Sequence, residues 1–402
     1  MLEHLIPSRR DISAVDVIFA LNAEAQRRRA AGENVINATL GALMDDQGQL
    51  VVHESVMGLW RELGPLEIAP YAPTTGDPAF LKALVQRHWP SLDGPVMGCA
   101  TPGGSGALAL SARLFLEPGM AVLAGGPYWG PYDRLAGESG TRLMTAPFKL
   151  ADQPLDLEAW EKAARGLMED QGRLLVWLND PCQNPTGLSL SREDRQGLLG
   201  RLARLADRGP VVLLLDIAYA DYTTDPGHVR EALDQYAATA VEGKILVAAA
   251  LSVSKALTLY GARGGALVFP WSQDPALNTV LGIACRGIWS STPRPPQALM
   301  VRLARDGKRQ EQLNAEHRHW SQVIEARALA LDGALRAKGL PGASWQGGFF
   351  LTLHPEAPMA VAERLRIQGV FVVPMREGLR VGICGLCASD ASRFADALKD
   401  AL

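Results

Sequence analysis

The sequence predicts an α/β protein: a large domain with a mostly parallel sheet covered by helices, and a smaller α+β domain toward the C-terminus. Three observations carry this prediction. Short apolar runs recur without polar/apolar alternation, the pattern of strands buried on both faces of a covered parallel sheet. Each run ends in a turn marked by Gly, Pro or Asp, and helical spacing follows, which is the alternation of α/β proteins. From about Gln297 the texture changes to long Arg-, Ala-, Leu- and Glu-rich helical patterns and then to separate strand-like runs.

The elements follow in order. Thr101-Pro102-Gly103-Gly104-Ser105-Gly106-Ala107-Leu108 opens an apolar helix running to Leu116. Met120–Leu123 is a strand running into Gly125-Gly126-Pro127, and Leu174–Leu178 is a strand running into Asn179-Asp180-Pro181. Ser191–Asp207 has helical spacing. Val211–Leu215 runs into Asp216, Ile245–Ala250 into Ser252, and Gly265–Phe269 into Pro270. Gln297–Lys338 reads as one or two long helices, and Gly347–Leu353, Val370–Val373 and Arg380–Cys384 as strands of the smaller domain. No internal repeat or linker-like tract interrupts the chain.

Composition narrows the function classes. The chain has 402 residues, 48% hydrophobic and 21% charged, the profile of a soluble globular protein of two to three domains. A net charge of −3 excludes a broadly basic nucleic-acid binder. The apolar runs are far too short to span a bilayer, and the first ten residues lack the apolar core of a secretory signal. Five scattered cysteines fit a reducing compartment, so a cytoplasmic location is expected. Cys384-x-x-Cys387 has no second ligand pair near it, and His317 and His319 point to different sides of a helix. No metal site is expected.

In open α/β sheets, ligands bind beyond the carboxyl ends of the strands, and the chemistry here gathers there. Asp216 follows five apolar residues, where the ordinary alternative is a turn or helix cap. Asn184 sits in the rigid Asn184-Pro185-Thr186-Gly187 loop. Lys255 ends Ser252-Val253-Ser254-Lys255; a lysine among apolar residues can act as an amine nucleophile toward carbonyls, although a lone lysine is usually a surface residue. The Ser-x-x-Lys string also matches penicillin-binding proteins, but the Ser-Asp-Asn and Lys-Thr-Gly strings that reading needs are absent. Arg263, among glycines, offers a bidentate phosphate contact. Gly104 and Ser105, at a glycine-rich helix start, suit an anion. Trp129 could stack on a planar ligand, and Arg380 interrupts an apolar strand pattern and needs an anionic partner.

Together these residues resemble the fold-type I pyridoxal-phosphate aminotransferases, more narrowly the aspartate/aromatic amino-acid subgroup. The resemblance runs in order from about Asp16 to the C-terminus. It rests on Tyr71–Gly76, Thr101–Leu108, Pro127–Trp129, Asn184–Gly187, Asp216–Tyr219, Ser252–Lys255, Arg263 and Arg380. It implies a large cofactor-binding domain over residues 45–315 and a small domain over 316–402, with 1–44 as an N-terminal arm and part of the small domain.

The resemblance also implies roles. Lys255 forms the internal aldimine with pyridoxal phosphate and then moves the substrate proton. Asp216 pairs with the pyridine nitrogen, Tyr219 and Asn184 bond the phenolic oxygen, and Trp129 stacks on the ring. Gly104, Ser105, Ser252 and Arg263 bind the phosphate, joined by Tyr71 from the other subunit of a homodimer. Arg380 clamps the substrate α-carboxylate with help from Asn184, and Gly41 lies beside it. Arg286, in the segment Arg286-Gly287-Ile288-Trp289, resembles the arginine that reaches across the dimer to a side-chain carboxylate. The implied reaction is ping-pong transfer of an amino group between an amino acid, dicarboxylic or aromatic, and a 2-oxo acid such as 2-oxoglutarate.

The sequence departs from the family in one instructive place. The family usually has a histidine a few residues after the stacking tryptophan, whereas here the region holds Tyr132, and no histidine occurs between His88 and His228. The tuning of Asp216 is therefore expected to differ. The competing readings are another fold-type I enzyme, such as a β-lyase or decarboxylase, and a non-catalytic amino-acid sensor. The sensors carry a helix-turn-helix domain, for which the stretch before the matching core is too short.

Overall fold

The structure, a computed structural model, describes residues 2–10, 17–149 and 153–402; Asp16, where the resemblance begins, lies outside them. The chain divides into two compact units: Leu50–Glu325 with Ser344–Phe349, and Met1–Gln49 with Ala326–Ala343 and Phe350–Leu402.

The larger unit is built on a seven-stranded sheet. Across it lie Met97–Pro102, Gly264–Phe269, Leu246–Ser252, Val211–Asp216, Leu174–Leu178, Ala121–Gly126 and Arg142–Pro147. Only Gly264–Phe269 runs against its neighbours; the other pairings are parallel. The apolar runs form strands because both sheet faces are covered. Every residue of Leu174–Leu178 and Val211–Asp216 is buried. The Trp177 indole, for example, donates to Ser111 Oγ on the helix Gly103–Phe115 at 3.0 Å.

Helix starts follow local chemistry. Ser191 Oγ accepts from the Asp194 N–H at 3.0 Å and the Asp194 carboxylate accepts from the Ser191 N–H at 3.3 Å, a capping box opening Arg192–Leu205. Asp225-Pro226 and Asp274-Pro275 begin their helices with an aspartate cap followed by proline.

Strand register sets the site. Asp216 is level with Ala250, and Ser252 with Gly265, which in turn is level with Thr101. The turns after three separate strands therefore open at one edge of the sheet. Because Gly264–Phe269 is antiparallel, its beginning lies at that edge, so Arg263 reaches the site and Pro270, expected from the sequence as a strand-end residue, lies at the opposite end.

The smaller unit holds a three-stranded antiparallel sheet in the order Val373–Met375, Gly378–Gly382, Phe350–Leu353, and a parallel pair of Ile36–Asn37 with Val370–Phe371. Its buried Arg327 donates to Cys384 O and Met44 O, each at 2.9 Å, and to Asp46 Oδ1 at 2.8 Å, tying three chain segments together.

Several expected boundaries shift. Gln297–Lys338 resolves into two helices, Arg294–Arg305 and Gly307–Ala337. The run expected from Gly347 becomes strand only at Phe350, because Gly348 has a φ of +79° and bonds Tyr222 O in a turn. Met97–Pro102 and Arg142–Pro147 form strands without a continuous apolar run: the first contains Gly98, and the second is partly exposed at the sheet edge. Cys384 and Cys387 contact the carbonyls of Leu40 and Asp46, and none of the five cysteines forms a disulfide. His317 is buried and His319 exposed. Among the described residues there is no group able to hold a metal and no helix long and apolar enough to cross a membrane.

Candidate active site

A cavity of about 150 Å³ opens at the strand ends of the larger unit. Its walls include Gly104, Ser105, Trp129, Asn184, Asp216, Tyr219, Ser252, Lys255 and Arg263, the residues singled out from sequence for one ligand. Tyr71 is not among them; its side chain is 94% exposed. Arg286 is also exposed, near the end of the helix Pro275–Ile288, where it donates to Ser290 Oγ at 2.6 Å.

One end of the cavity is built to hold an anion. Gly103 begins its helix at a φ of +70°, a left-handed backbone that favours glycine, and a Cβ there would lie 2.7 Å from Arg263 Nη2 and push that guanidinium aside. Gly104 and Ser105 follow in the first turn of a 13-residue helix, whose free N–H groups and dipole favour negative charge. Opposite them are the hydroxyls of Ser252 and Ser254. Arg263 has a left-handed φ of +55° and is steadied by Tyr260 O at 3.0 Å and Ser254 Oγ at 3.5 Å.

The other end centres on Asp216, the last residue of its strand and 8% exposed. Tyr132 donates its hydroxyl to Oδ2 at 2.8 Å and the Ala218 N–H reaches Oδ1 at 3.3 Å. Burial pushes the Asp216 carboxyl up from its ordinary value, while the Tyr132 and Ala218 hydrogen bonds and the charge of Lys255 act the other way. Such a carboxylate suits a cationic N–H partner. Burial, followed by the Asp216 charge, pushes the Tyr132 phenol well above its usual range, so it remains a neutral donor.

Asn179 locks the loop to the strand end. Its amide donates to Asp216 O at 2.6 Å, and its Oδ1 accepts from the Asn184 N–H at 2.7 Å. Asn184 Nδ2 lies 3.4 Å from the Tyr219 hydroxyl, whereas its buried Oδ1 has no partner among the described residues. Gln183 donates to Pro127 O at 2.6 Å and so braces the Trp129 turn. Below the loop, the fully buried Asp180 accepts from Tyr236 Oη at 2.5 Å and from the Leu190 N–H at 2.7 Å.

Lys255 projects from the short helix Val253–Ala256 that follows Leu246–Ser252, with Nζ 5.8 Å from the centre of the Tyr219 ring. A layer of residues not anticipated from sequence supports this helix. Tyr222 Oη donates to Lys255 O at 3.0 Å, His317 Nε2 bonds Ala256 O at 2.7 Å, and His53 Nε2 lies 3.1 Å from Tyr222 Oη. Tyr222 was findable, three residues beyond Tyr219; the two histidines come from distant segments with no local signal.

Gly41 and Arg380 belong to the smaller unit. Arg380 is buried, donates to Thr39 O at 2.6 Å and holds its guanidinium 4.5 Å from the centre of the Phe350 ring. A Cβ on Gly41 would lie 2.6 Å from Cζ of that same ring, so the glycine is required for this packing.

The residues present fit pyridoxal phosphate: an anion cradle at one end, a buried carboxylate at the other, and the Asn184 amide and the Lys255 amine between them. The comparisons agree. A family profile described as aminotransferase class I and II matches residues 33–398. A tyrosine aminotransferase of Rhizobium meliloti is 27% identical over 95% of this chain and 96% of its own length. An aspartate/prephenate aminotransferase of Thermus thermophilus is 25% identical over 88% of this chain and 86% of its own length. The solved structure of an aminotransferase from Anaerococcus prevotii superposes with a TM-score of 0.91 at 25% identity, covering 98% of each chain. With the fold, the cavity and the full-length match in agreement, the chain belongs to the aminotransferase class I and II family and is a pyridoxal-phosphate-dependent transferase of amino groups.

Proposed function

We propose that this aminotransferase exchanges an amino group between an amino acid, dicarboxylic (aspartate or glutamate) or aromatic, and a 2-oxo acid such as 2-oxoglutarate. The observation that carries the reading is the convergence of Lys255, Asp216 and the anion cradle on one cavity. When bound, pyridoxal phosphate supplies an electrophilic carbon and a ring able to accept electron density from the substrate.

The chain's own residues do the rest. The N–H groups of Gly104 and Ser105, the Ser252 hydroxyl and the Arg263 guanidinium hold the phosphate. Asp216 keeps a proton on the pyridine nitrogen. Asn184 and Tyr219 hydrogen-bond the phenolic oxygen, and Trp129 covers the ring face. The Lys255 amine takes the proton from the substrate Cα and returns it. Arg380 grips the α-carboxylate through its planar fork, with Asn184 as a further donor and Gly41 alongside.

Tyr71 and Arg286 act across a homodimer interface in this reading. Three features support it. Their segments adjoin, since Ser291 Oγ donates to Ala72 O at 3.0 Å. Both side chains are exposed, and Leu66, Ile68, Val280, Ile283 and Ile288 expose apolar surface on the same segments. Arg286 then meets the side-chain carboxylate of aspartate or glutamate, and the names of the tyrosine and aspartate/prephenate relatives cover both donor classes. Five cysteines without a disulfide suit the cytoplasm.

The test is an absorbance titration of the cofactor-loaded enzyme with single amino acids and no acceptor. Loss of the visible cofactor band with aspartate or glutamate supports the reading including Arg286. Loss only with tyrosine or phenylalanine retains the reaction and removes the dicarboxylate role. A protein that forms no such band, and in which Lys255→Ala changes nothing, refutes the proposed site.

A further inference from the structure

Tyr132 lies outside the cavity wall yet touches two groups that form it. Its hydroxyl donates to Asp216 Oδ2 at 2.8 Å. Its ring meets Trp129 edge-on, with centroids 5.9 Å apart and planes at 80°. The ring has no freedom to turn away, because it is 1% exposed, packs edge-on against Trp177 at 5.2 Å and stacks on Tyr128 at 6.4 Å.

Asp216 faces few groups able to keep it charged. From its own loop comes the Ala218 N–H at 3.3 Å, from the helix Val253–Ala256 the Lys255 ammonium, and from the helix Pro131–Glu138 the Tyr132 hydroxyl; the Tyr219 phenol is close to Tyr132. The Tyr132 bond is the shorter of the two hydrogen bonds to the carboxylate. A phenol in this place differs from an imidazole in kind. It donates one hydrogen bond and brings no positive charge, so the bond itself must offset the cost of burying the carboxylate.

We propose that Tyr132 is a positioning residue that keeps the Asp216 carboxylate ionised and oriented toward the cavity while its ring braces Trp129. The inference rests on the cofactor reading above. Hydroxyl and ring then have separable effects: the first acts through the charge opposite the pyridine nitrogen, the second through stacking.

The test uses the full-length enzyme loaded with pyridoxal phosphate. Tyr132→Phe retains the ring and its packing and removes only the hydroxyl. It lowers cofactor affinity and kcat, each by about 10-fold, the scale of one hydrogen bond to a charged group, with a much smaller change in the amino-acid KM. The pH at which the bound cofactor's absorbance titrates also moves. Tyr132→His, which restores a donor on a ring, recovers most of the loss. Two controls isolate the route. In an Asp216→Asn background, Tyr132→Phe adds less than about 2-fold, as expected when two residues act as one unit. With the N-methylated cofactor, whose nitrogen carries a fixed charge, the ratio of wild type to Tyr132→Phe approaches one.

A Tyr132→Phe enzyme with wild-type affinity, kcat and absorbance titration overturns the inference. So does a loss that persists undiminished in the Asp216→Asn background. If Asp216→Asn itself costs nothing in affinity or kcat, the cofactor reading fails instead.

Discussion

Gly265→Ala tests whether the anion cradle is set by close backbone contact between two strands and a helix start. A Cβ at Gly265 would lie 2.5 Å from Gly103 C, 2.7 Å from Gly103 Cα and 2.8 Å from Gly103 O. All three are backbone atoms, so no side chain can swing aside. Ordinary contact needs about 3.4 Å, so the strand or the helix start must give by nearly 1 Å. Gly103 is itself tied down, since its N–H donates to Arg263 O at 3.1 Å and its carbonyl accepts from the Thr101 hydroxyl at 2.8 Å. Overpacking of this kind costs about 1–3 kcal/mol. If the strain falls on the cradle, the cofactor dissociation constant rises roughly 5- to 150-fold, at about 1.4 kcal/mol per decade. The assay is an absorbance titration of the apoenzyme with pyridoxal phosphate, paired with its urea midpoint. Gly166→Ala is the control: it lies in the helix Leu157–Gln171 with nothing within 4 Å of its Cβ, so it should gain about 0.5–1 kcal/mol and leave cofactor affinity unchanged. A Gly265→Ala protein with wild-type affinity and midpoint would falsify the claim that this contact shapes the site.

The other expectations concern chemistry, stability and pH. Lys255→Ala abolishes transamination and the visible cofactor band while leaving the apoenzyme's thermal midpoint within a few degrees of wild type; steady-state assay, absorbance and calorimetry check this. Arg286→Ala raises KM for aspartate by at least about 10-fold, the loss of one charge-assisted contact, and changes KM for phenylalanine little. Tyr236→Phe removes a hydrogen bond to the fully buried Asp180 and lowers stability by about 1–3 kcal/mol in urea unfolding. Burial holds the folded-state pKa of His317 down to about 3 and that of His53 to about 4, against an ordinary 6.5. The unfolded chain takes up protons that the folded chain refuses. Their contribution is therefore intact above pH 6.5 and is lost as pH falls toward 4, at up to about 1.4 kcal/mol per pH unit for each histidine. Apoenzyme urea midpoints from pH 7 to 5 should fall, and His317→Gln should flatten the slope.

Legibility from sequence tracked the range of the forces involved. Leu174–Leu178 and Val211–Leu215 were readable as strands because a two-sided buried strand needs a continuous apolar run, and that requirement is local. The same holds for Asp216, directly after such a run, and for Asn184 and Lys255, in the loop and the short helix that follow two others. Met97–Pro102 carries no such local signal, because Gly98 interrupts its pattern and its identity as a strand depends on Gly264–Phe269 pairing with it from far along the chain. His53 and His317, which stand behind Lys255, left no local signal, since what gathers them is the packing of distant helices.

By itself, then, the sequence determined that the continuous apolar runs, such as Leu174–Leu178 and Val211–Leu215, become strands and which residues fill the turns after them, because burial pattern and turn composition are written residue by residue. It also carried enough ordered motifs to identify the family. Tertiary structure alone decided three things. The antiparallel direction of Gly264–Phe269 brought Arg263, rather than the residue after the strand, to the site. Register placed Asp216 against Ala250 and Ser252 against Gly265, so separate turns share one cavity. The packing of the helix Pro131–Glu138 put the Tyr132 hydroxyl on Asp216, 84 residues away. The physical reason is common to all three: direction, register and long-range contact depend on pairs of segments, and no single segment encodes its partner.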